Sequence, residues 1–194
     1  MTPLDLDLRA TALVLIDLQR GIVARPVAPH SAADVLARAR RLAERFRERG
    51  APVVLVHVMY SADDRDRLQP RADTPAPSGP FPPDFGDILP EIGPQPGDIV
   101  ITKRQWGAFY GTELDLQLRR RGVRTIVLGG ISTSVGVEST ARDAYERGYE
   151  QVFVEDAMSS MSAEAHAFVI RTTFSRLGLV RSTEEVLAAL DASR

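Results

Sequence analysis

The repeated alternation of short apolar runs with longer amphipathic segments limits the fold of this chain more than any other feature. The run TALVLI at 11–16 precedes a segment at 31–49 whose apolar residues recur at helical spacing, and the alternation continues to residue 190. A short continuous apolar run is typical of a strand buried on both faces, and strands separated by helices form parallel sheets. The sequence therefore predicts an α/β fold, with helices on both faces of a parallel sheet.

Six of the apolar runs are predicted to be strands, and five of the amphipathic segments to be helices. The predicted strands are 11–16, 52–58, 98–102, 125–128, 151–154 and 179–180. The predicted helices are 31–49, 112–122, 134–147, 163–174 and 182–190. The last helix begins with the capping-box pattern S-x-x-E at 182–185.

One irregular segment, 69–97, contains nine of the thirteen prolines. It is too long for a passive connector within a compact domain. We expect a lid, an oligomerisation arm or an ordered wrap on the surface. A linker between two domains is disfavoured, because too few strands precede the segment. The chain is therefore predicted to be a single domain, 1–194.

Composition and charge exclude several classes of function. The chain has no cysteine, so it forms neither disulfides nor thiolate metal sites and has no thiol nucleophile. Its net charge of −2 and the lack of a basic run argue against nucleic acid as a partner. No apolar stretch approaches the length that spans a membrane, and residues 1–9 carry acids where a signal peptide has a basic start. We expect a cytoplasmic protein.

Lys103 is the single lysine among 24 basic residues. A surface cation tolerates arginine, but a position that needs a compact ammonium does not, because arginine stays protonated and presents a planar fork. Chance survival of one lysine is the alternative. We predict that the chemistry of a functional site requires Lys103.

Three unusual features fall where predicted strands end. Asp17 directly follows the first strand, Lys103 follows the third, and the glycine-rich turn 129–134 joins the fourth to a helix. Taken singly, an aspartate at a strand end is typical of a turn, a lysine after a strand is typical of a solvated cation, and a glycine-rich turn is typical of tight packing. Because ligands bind at the carboxyl ends of the strands in open parallel sheets, their convergence on one sheet edge predicts a functional site there.

Motifs for several other kinds of site are missing. No strand is followed by GxGxxG, and the chain has neither a GxxxxGK[ST] loop nor the GxSxG of serine hydrolases. His30, His57 and His166 lie far apart in the sequence, without HxH or HExxH spacing. We therefore predict neither a metal nor a cofactor, and expect a small-molecule substrate as the partner.

Five segments, taken in order, resemble the isochorismatase-like hydrolases, a superfamily also called the cysteine hydrolases. They read ALVLIDLQ at 12–19, KRQWGAFYGT at 103–112, GIST at 130–133, VESTARDA at 137–144 and VEDA at 154–157. The resemblance implies a three-layer, Rossmann-like fold with a parallel six-stranded sheet and an Asp–Lys–Cys catalytic set. It also implies a cis peptide bond between Gly130 and Ile131, and a homo-oligomer, either a dimer or a tetramer.

Asp17 and Lys103 match the catalytic residues of the family, but Gly136 occupies the position of its cysteine. Close packing is one reason for a glycine there, and room for an anion at a helix N-terminus is the other. The true isochorismatases of this family also have glycine at that position, and they hydrolyse a vinyl ether with a proton donor and water. The run STS at 132–134 differs from their Tyr-Ala-His, so the chain is more similar to another cysteine-free branch. The zinc-binding Asp-x-His segment of nicotinamidases has no counterpart at 59–63.

The predicted catalytic residues are Asp17, as general acid or base, and Lys103, as its electrostatic partner, beside Gly136. The predicted substrate-binding residues are Gln19, Trp106, Phe109, Tyr110, Gly130, Ile131, Ser132, Thr133 and Ser134. The alternative for Gln19 is a bond to the backbone, and for at least one of the aromatic residues it is a place in the core. Lys103 lowers the pKa of Asp17, which suits a base, whereas burial raises this pKa, which suits an acid. Both roles stay open at this point.

These residues support three hypotheses about function. The first is a hydrolase that acts on a small carboxylate-bearing or amide-bearing metabolite without a cysteine nucleophile. The second is an amidohydrolase that uses the hydroxyl group of Ser134 or Thr133. The third is a noncatalytic ligand-binding protein that has kept the fold.

Overall fold

A six-stranded parallel sheet forms the centre of the protein in a computed structural model, which describes residues 4–74 and 79–193. The strands are β1 (Thr11–Ile16), β2 (Val53–Val58), β3 (Ile99–Lys103), β4 (Thr125–Ile131), β5 (Glu150–Ser159) and β6 (Leu179–Arg181). Their order is β3-β2-β1-β4-β5-β6, and each neighbouring pair is parallel. The predicted fold class and the six predicted strands are confirmed. Of the predicted domain 1–194, residues 1–3, 75–78 and 194 lie outside the described residues.

The described residues also form seven α-helical segments, one 3₁₀ turn and two π-helical turns. The α-helices are α1 (Arg20–Val23), α2 (Ala32–Glu48), α3 (Leu114–Arg120), α4 (Glu138–Glu146), α5 (Ala163–Val169), α6 (Ser175–Leu177) and α7 (Thr183–Ala192). A 3₁₀ turn, Leu8–Ala10, precedes β1, a π-helical turn, Thr133–Val137, leads into α4, and a second π turn, Ile170–Phe174, follows α5. The five predicted helices and the predicted capping box are confirmed. Among these described helices, none has both the length and the apolar character that crossing a bilayer requires.

The central strand β1 is buried on both faces of the sheet. Ala12, Val14 and Ile16 belong to the apolar cluster that includes residues of α3 and α4. Leu13 and Leu15 belong to the cluster that includes residues of α2 and α7. Successive side chains of a strand point to opposite faces, so a strand between two cores is apolar at every position.

The chain changes direction across the sheet at β1. β2 and β3 lie on one side of this strand, and β4, β5 and β6 lie on the other. In open α/β sheets, ligands bind in the crevice outside the carboxyl ends of the strands at such a switch point. Asp17 directly follows β1, and the π turn Thr133–Val137 follows β4. The topology therefore places both at the crevice.

The described part of the proline-rich segment 69–97 is bonded to the backbone near the carboxyl end of β1. The Gly21 N–H donates to the carbonyl oxygen of Phe85 at 3.0 Å. In β2, the His57 Nδ1 lies 2.7 Å from the Gly86 carbonyl oxygen. The described part of the segment is therefore bonded to the chain around β1 and β2, and its role as a lid, an oligomerisation arm or a surface wrap stays a prediction.

Gly130 lies where the backbone of β4 closely approaches that of β1. Its φ is +124°, and a Cβ at this position would lie 2.1 Å from the Ile16 carbonyl oxygen. The position therefore requires glycine. The predicted cis bond between Gly130 and Ile131 is wrong, because the cis bond joins Ile131 and Ser132. Gly130 and Ile131 still pair with β5, and the cis bond follows where this pairing ends.

Gly130→Ala is expected to destabilise the protein through collision with Ile16. Gly148→Ala is the matched control, because Gly148 also has a positive φ, 77°, but has open space around its Cβ position. The control should lose about 1–2 kcal/mol in the free energy of unfolding, from the left-handed conformation alone. Gly130→Ala should lose at least about 2 kcal/mol more. Urea unfolding followed by circular dichroism measures both losses, and equal losses would contradict the close contact.

Candidate active site

Asp17 and Lys103 form a buried ion pair at the carboxyl end of the sheet. Asp17 is the residue after β1 and Lys103 is the last residue of β3. The Lys103 Nζ lies 2.7 Å from the Asp17 Oδ2, and the two side chains are 1% and 9% exposed, respectively. Because β2 lies between the two strands, the lysine side chain reaches across it. The structure thus brings together the two residues that the sequence placed on one edge.

A second acceptor holds the ammonium group of Lys103. The Nζ donates to the Trp106 carbonyl oxygen at 2.7 Å, in addition to Asp17. An ammonium group carries three rotatable donors on a flexible stem, whereas a guanidinium group presents its donors in a fixed plane. The two hydrogen bonds of the buried Nζ fit the compact ammonium group of lysine. They account for a lysine at this position in a chain whose other basic side chains are arginines.

The carboxyl group of Asp17 is buried and only partly hydrogen-bonded. Its Oδ2 accepts from Lys103, but its Oδ1 has no hydrogen-bond partner among the described residues. Burial raises the pKa of Asp17 and outweighs the positive charge and hydrogen bond of Lys103, which lower it. Asp17 also has a φ of 54°, in the left-handed region that non-glycine residues rarely adopt. Backbone strain of this kind concentrates at functional sites.

Gly136 lies directly against this ion pair. A Cβ at this position would lie 3.0 Å from the Asp17 Oδ2 and 3.1 Å from the Lys103 Nζ. A side chain at 136 would therefore meet both charged groups, which is the placement that the resemblance implies for a catalytic cysteine. With glycine, no side chain occupies that place, in the first turn of the helical segment that leads into α4.

Hydroxyl groups in the turn after β4 are bonded to neighbouring side chains. The Ser160 Oγ lies 2.8 Å from the Ser132 Oγ and 2.7 Å from the Ser134 Oγ. The Thr133 Oγ1 lies 2.9 Å from the His166 Nδ1, and Thr133 is fully buried. These contacts fix the turn to the end of β5 and to α5.

Gln19 is fully buried and bonded to the backbone. Its Nε2 donates to the carbonyl oxygens of Val58 and Phe85, both at 2.9 Å, and its Oε1 accepts from the Val58 N–H at 2.7 Å. This corresponds to the backbone-bonding alternative for Gln19. The residue joins the end of β2 to the proline-rich segment, two positions beyond Asp17.

The three aromatic residues after Lys103 lie in different environments. Phe109 is buried in the core, and its ring centroid lies 5.7 Å from that of Tyr149. Trp106 and Tyr110 are 70% and 75% exposed. Phe109 thus takes the core position expected for at least one of the three, and the other two remain predicted substrate contacts.

Two residues that contact the turn, Ser160 and His166, could not be predicted from the sequence. Both come from distant parts of the chain, and helical periodicity indicates only that His166 lies on the buried face of α5. The pKa of His166 is lowered to about 4, because the ring is buried and close to His30. His166 is therefore neutral near pH 7.

Comparison with known proteins agrees with the fold. The model of the Isochorismatase domain family matches residues 11–185. YwoC of Bacillus subtilis (strain 168), an uncharacterized isochorismatase family protein, is 50% identical over 189 residues, which cover 96% of this chain and 97% of YwoC. The structure of an isochorismatase family protein from Burkholderia thailandensis matches with a TM-score of 0.93 and 47% identity, over 96% of this chain and 98% of that one. N-carbamoylsarcosine amidase from Thermoplasma acidophilum matches with a TM-score of 0.72 and 30% identity, over 90% and 97% of the two chains.

The raised pKa of Asp17 can be measured by an NMR titration of ¹³C-labelled aspartate side chains. One carboxyl signal should titrate above the ordinary aspartate range and should be missing in Asp17→Asn. Asp63 is the internal control, because hydrogen bonds from Ser61 and from the Arg65 N–H lower its pKa. Because the folded-state pKa of Asp17 exceeds its unfolded-state value, the group stabilises the fold below about pH 4 and loses that contribution as the pH rises through the folded pKa. An Asp17 signal that titrates below Asp63 would contradict the dominance of burial.

Proposed function

This chain belongs to the isochorismatase family, and we propose that it hydrolyses a small metabolite without forming a covalent enzyme intermediate. The observation that carries the proposal is the buried carboxyl group of Asp17, which has a raised pKa beside Lys103 and an Oδ1 without a hydrogen-bond partner in the described part of the chain. Position 136 next to it is a glycine and offers no nucleophile. The chain has no cysteine at any position, so a thiol mechanism is excluded.

In this proposal Asp17 is the general acid, and its full ion pair with Lys103 forms once it has given up its proton. A carboxyl group with a raised pKa keeps its proton at a higher pH, and Asp17 Oδ1 has no hydrogen-bond partner among the described residues. Asp17 gives a proton to the substrate, and water adds to the carbon made electrophilic by that transfer while returning a proton to Asp17. The adduct then collapses: the bond from this carbon to the leaving oxygen or nitrogen breaks, and the proton of the added hydroxyl group passes to that leaving atom. A positioned general acid typically contributes 10²–10⁴-fold to the rate.

Lys103 supports this proton transfer electrostatically. Once Asp17 has given up its proton, a negative charge remains in a buried place where water cannot solvate it. The Lys103 ammonium, 2.7 Å from Oδ2, stabilises that carboxylate and any negative charge that develops on the substrate beside it. The bond to the Trp106 carbonyl oxygen keeps the ammonium oriented before the reaction begins.

The hydroxyl-nucleophile hypothesis has less support from the geometry. Thr133 is fully buried and its hydroxyl group is bonded to His166, while the Ser134 Oγ is bonded to the Ser160 Oγ. Each hydroxyl group therefore has a partner outside the pair of Asp17 and Lys103. The noncatalytic hypothesis gives no reason to bury Asp17 and Lys103, because buried ion pairs contribute little net stability compared with apolar residues of similar volume.

Two classes of substrate bond are candidates, one from a relative and one from the residues of the site. The Thermoplasma acidophilum relative is named for cleavage of an N-carbamoyl compound, which favours amide and ureido substrates. A glycine in place of the family cysteine and a buried proton donor favour an enol ether. We therefore propose a screen of both classes, each presented as small carboxylates.

Asp17→Asn and Lys103→Met are each expected to lower kcat by at least about 100-fold on the substrate that the screen identifies. Asp17→Asn removes the proton donor at nearly constant volume, and Lys103→Met removes the charge but keeps an unbranched side chain. Asp5→Asn and Arg104→Met, at exposed or partly exposed positions, are the matched controls and should retain wild-type turnover. Wild-type rates in either variant of the ion pair, with folding verified by circular dichroism, would contradict the proposal.

A further inference from the structure

Three potential metal ligands, none of them Asp17 or Lys103, lie together beside β5. A ring nitrogen of His30, a carboxylate oxygen of Glu155 and a ring nitrogen of His166 all lie within 4.8 Å of one another. The His30 Nε2 is 3.9 Å from the Glu155 Oε1, which is beyond hydrogen-bond distance. The two imidazole rings meet edge to face, with centroids 5.9 Å apart.

Both histidines have an Nε2 that is buried and has no hydrogen-bond partner among the described residues. His166 itself is 3% exposed. A buried polar atom without a partner is costly, and native proteins rarely leave one without a partner, a water or an ion. Two such nitrogens beside a carboxylate provide three donor atoms suited to a cation.

The elements around the cluster hold the three ligands in place. Ala28 forms two backbone hydrogen bonds with Ser160, at 2.8 and 2.9 Å, and the His30 carbonyl oxygen accepts from the Ser159 Oγ at 2.8 Å. His30 is thus fixed to the end of β5, the strand that carries Glu155. The site is therefore built on the sheet and not on a free loop.

Thr133 sets the orientation of the His166 ring. Its Oγ1 lies 2.9 Å from the His166 Nδ1, so the Nδ1–H can donate to the hydroxyl oxygen. That tautomer leaves the lone pair on Nε2, the nitrogen without a partner. Histidines that bind metals usually donate their other ring N–H in this way, which fixes the tautomer and the ring.

We propose that His30, Glu155 and His166 form a binding site for a first-row divalent cation, with Zn²⁺ as the best match. Two imidazoles and one carboxylate are typical of zinc sites that keep an open fourth position. Ligand atoms around a tetrahedral zinc ion lie about 3.4 Å apart, from the usual bond lengths of about 2.0–2.2 Å. The Glu155 side chain is 43% exposed, so it can move toward the two histidines and leaves a path from solvent.

A cation at this site would act on the turn that follows β4. The ion fixes His166, His166 binds Thr133, and Thr133 begins the π turn that contains Gly136. We assign the bound ion a role in positioning this turn, with solvent at its fourth coordination position. The assignment does not depend on the proposed hydrolase function.

The site is tested by titrating Zn²⁺ into tag-free, chelator-treated protein and measuring the heat of binding. Co²⁺ provides a spectroscopic probe of the ligand geometry. We expect one saturable Zn²⁺ per chain and a rise in Tm with Zn²⁺ concentration, because a ligand that binds the folded state stabilises it. The absence of saturable binding to the wild-type protein would overturn the proposal.

Variants of the ligands identify the site. Glu155→Gln and His30→Ala should each weaken Zn²⁺ binding by more than about 100-fold, since loss of an outer partner of a ligand already costs 10–100-fold. Glu164→Gln, at an exposed position in α5, and His57→Ala, at the histidine outside the cluster, are the matched controls and should bind as the wild type does. The Glu155 side chain is partly exposed, so Glu155→Gln keeps the test valid if the His30 variant fails to fold. Unchanged affinity in Glu155→Gln would also overturn the proposal.

Discussion

The ion pair between Asp17 and Lys103 is the interaction on which the rest of the site depends. Transfer of two charges out of water costs several kcal/mol per ion, and attraction between them compensates only when the geometry is good. The carboxyl ends of β1 and β3 place one partner each, and the Trp106 carbonyl oxygen orients the ammonium group. The burial of Asp17 is the less fully compensated of the two. Its Oδ1 has no hydrogen-bond partner among the described residues, and its pKa is raised. A group that is costly to bury in this way is suited to exchanging a proton.

The backbone around the pair is arranged by close contacts that only particular residues permit. Gly130 lets β4 approach β1, and the chain then turns through the cis bond before Ser132 into the helical segment with Gly136. Gln19 binds β2 and the proline-rich segment on the other side of the crevice. Ser160 and His166 hold the turn through its hydroxyl groups. The site is therefore defined by several distant parts of the chain, which the sheet brings together.

Sequence patterns predicted the parts of this arrangement that depend on local order. Apolar runs predicted the six strands, because each strand is buried on both faces, and strand ends predicted that Asp17 and Lys103 would share an edge. The cis bond lies one residue further along the chain than predicted, after the last residue of β4 that pairs with β5. The cluster of His30, Glu155 and His166 was missed entirely, because no short-range spacing marks residues that meet only through tertiary contacts. The sequence also did not determine whether burial or Lys103 has the larger effect on the pKa of Asp17, because both effects depend on the three-dimensional environment.

The central claim is that water attacks the substrate directly, and the first turnover tests it most directly. Enzyme in excess over substrate is quenched with acid at successive times, and the intact protein is weighed by mass spectrometry while product is quantified. Our account predicts that product accumulates while the protein keeps its unmodified mass at every time. A transient mass increase equal to a substrate fragment, located on Asp17, Thr133 or Ser134, would contradict it.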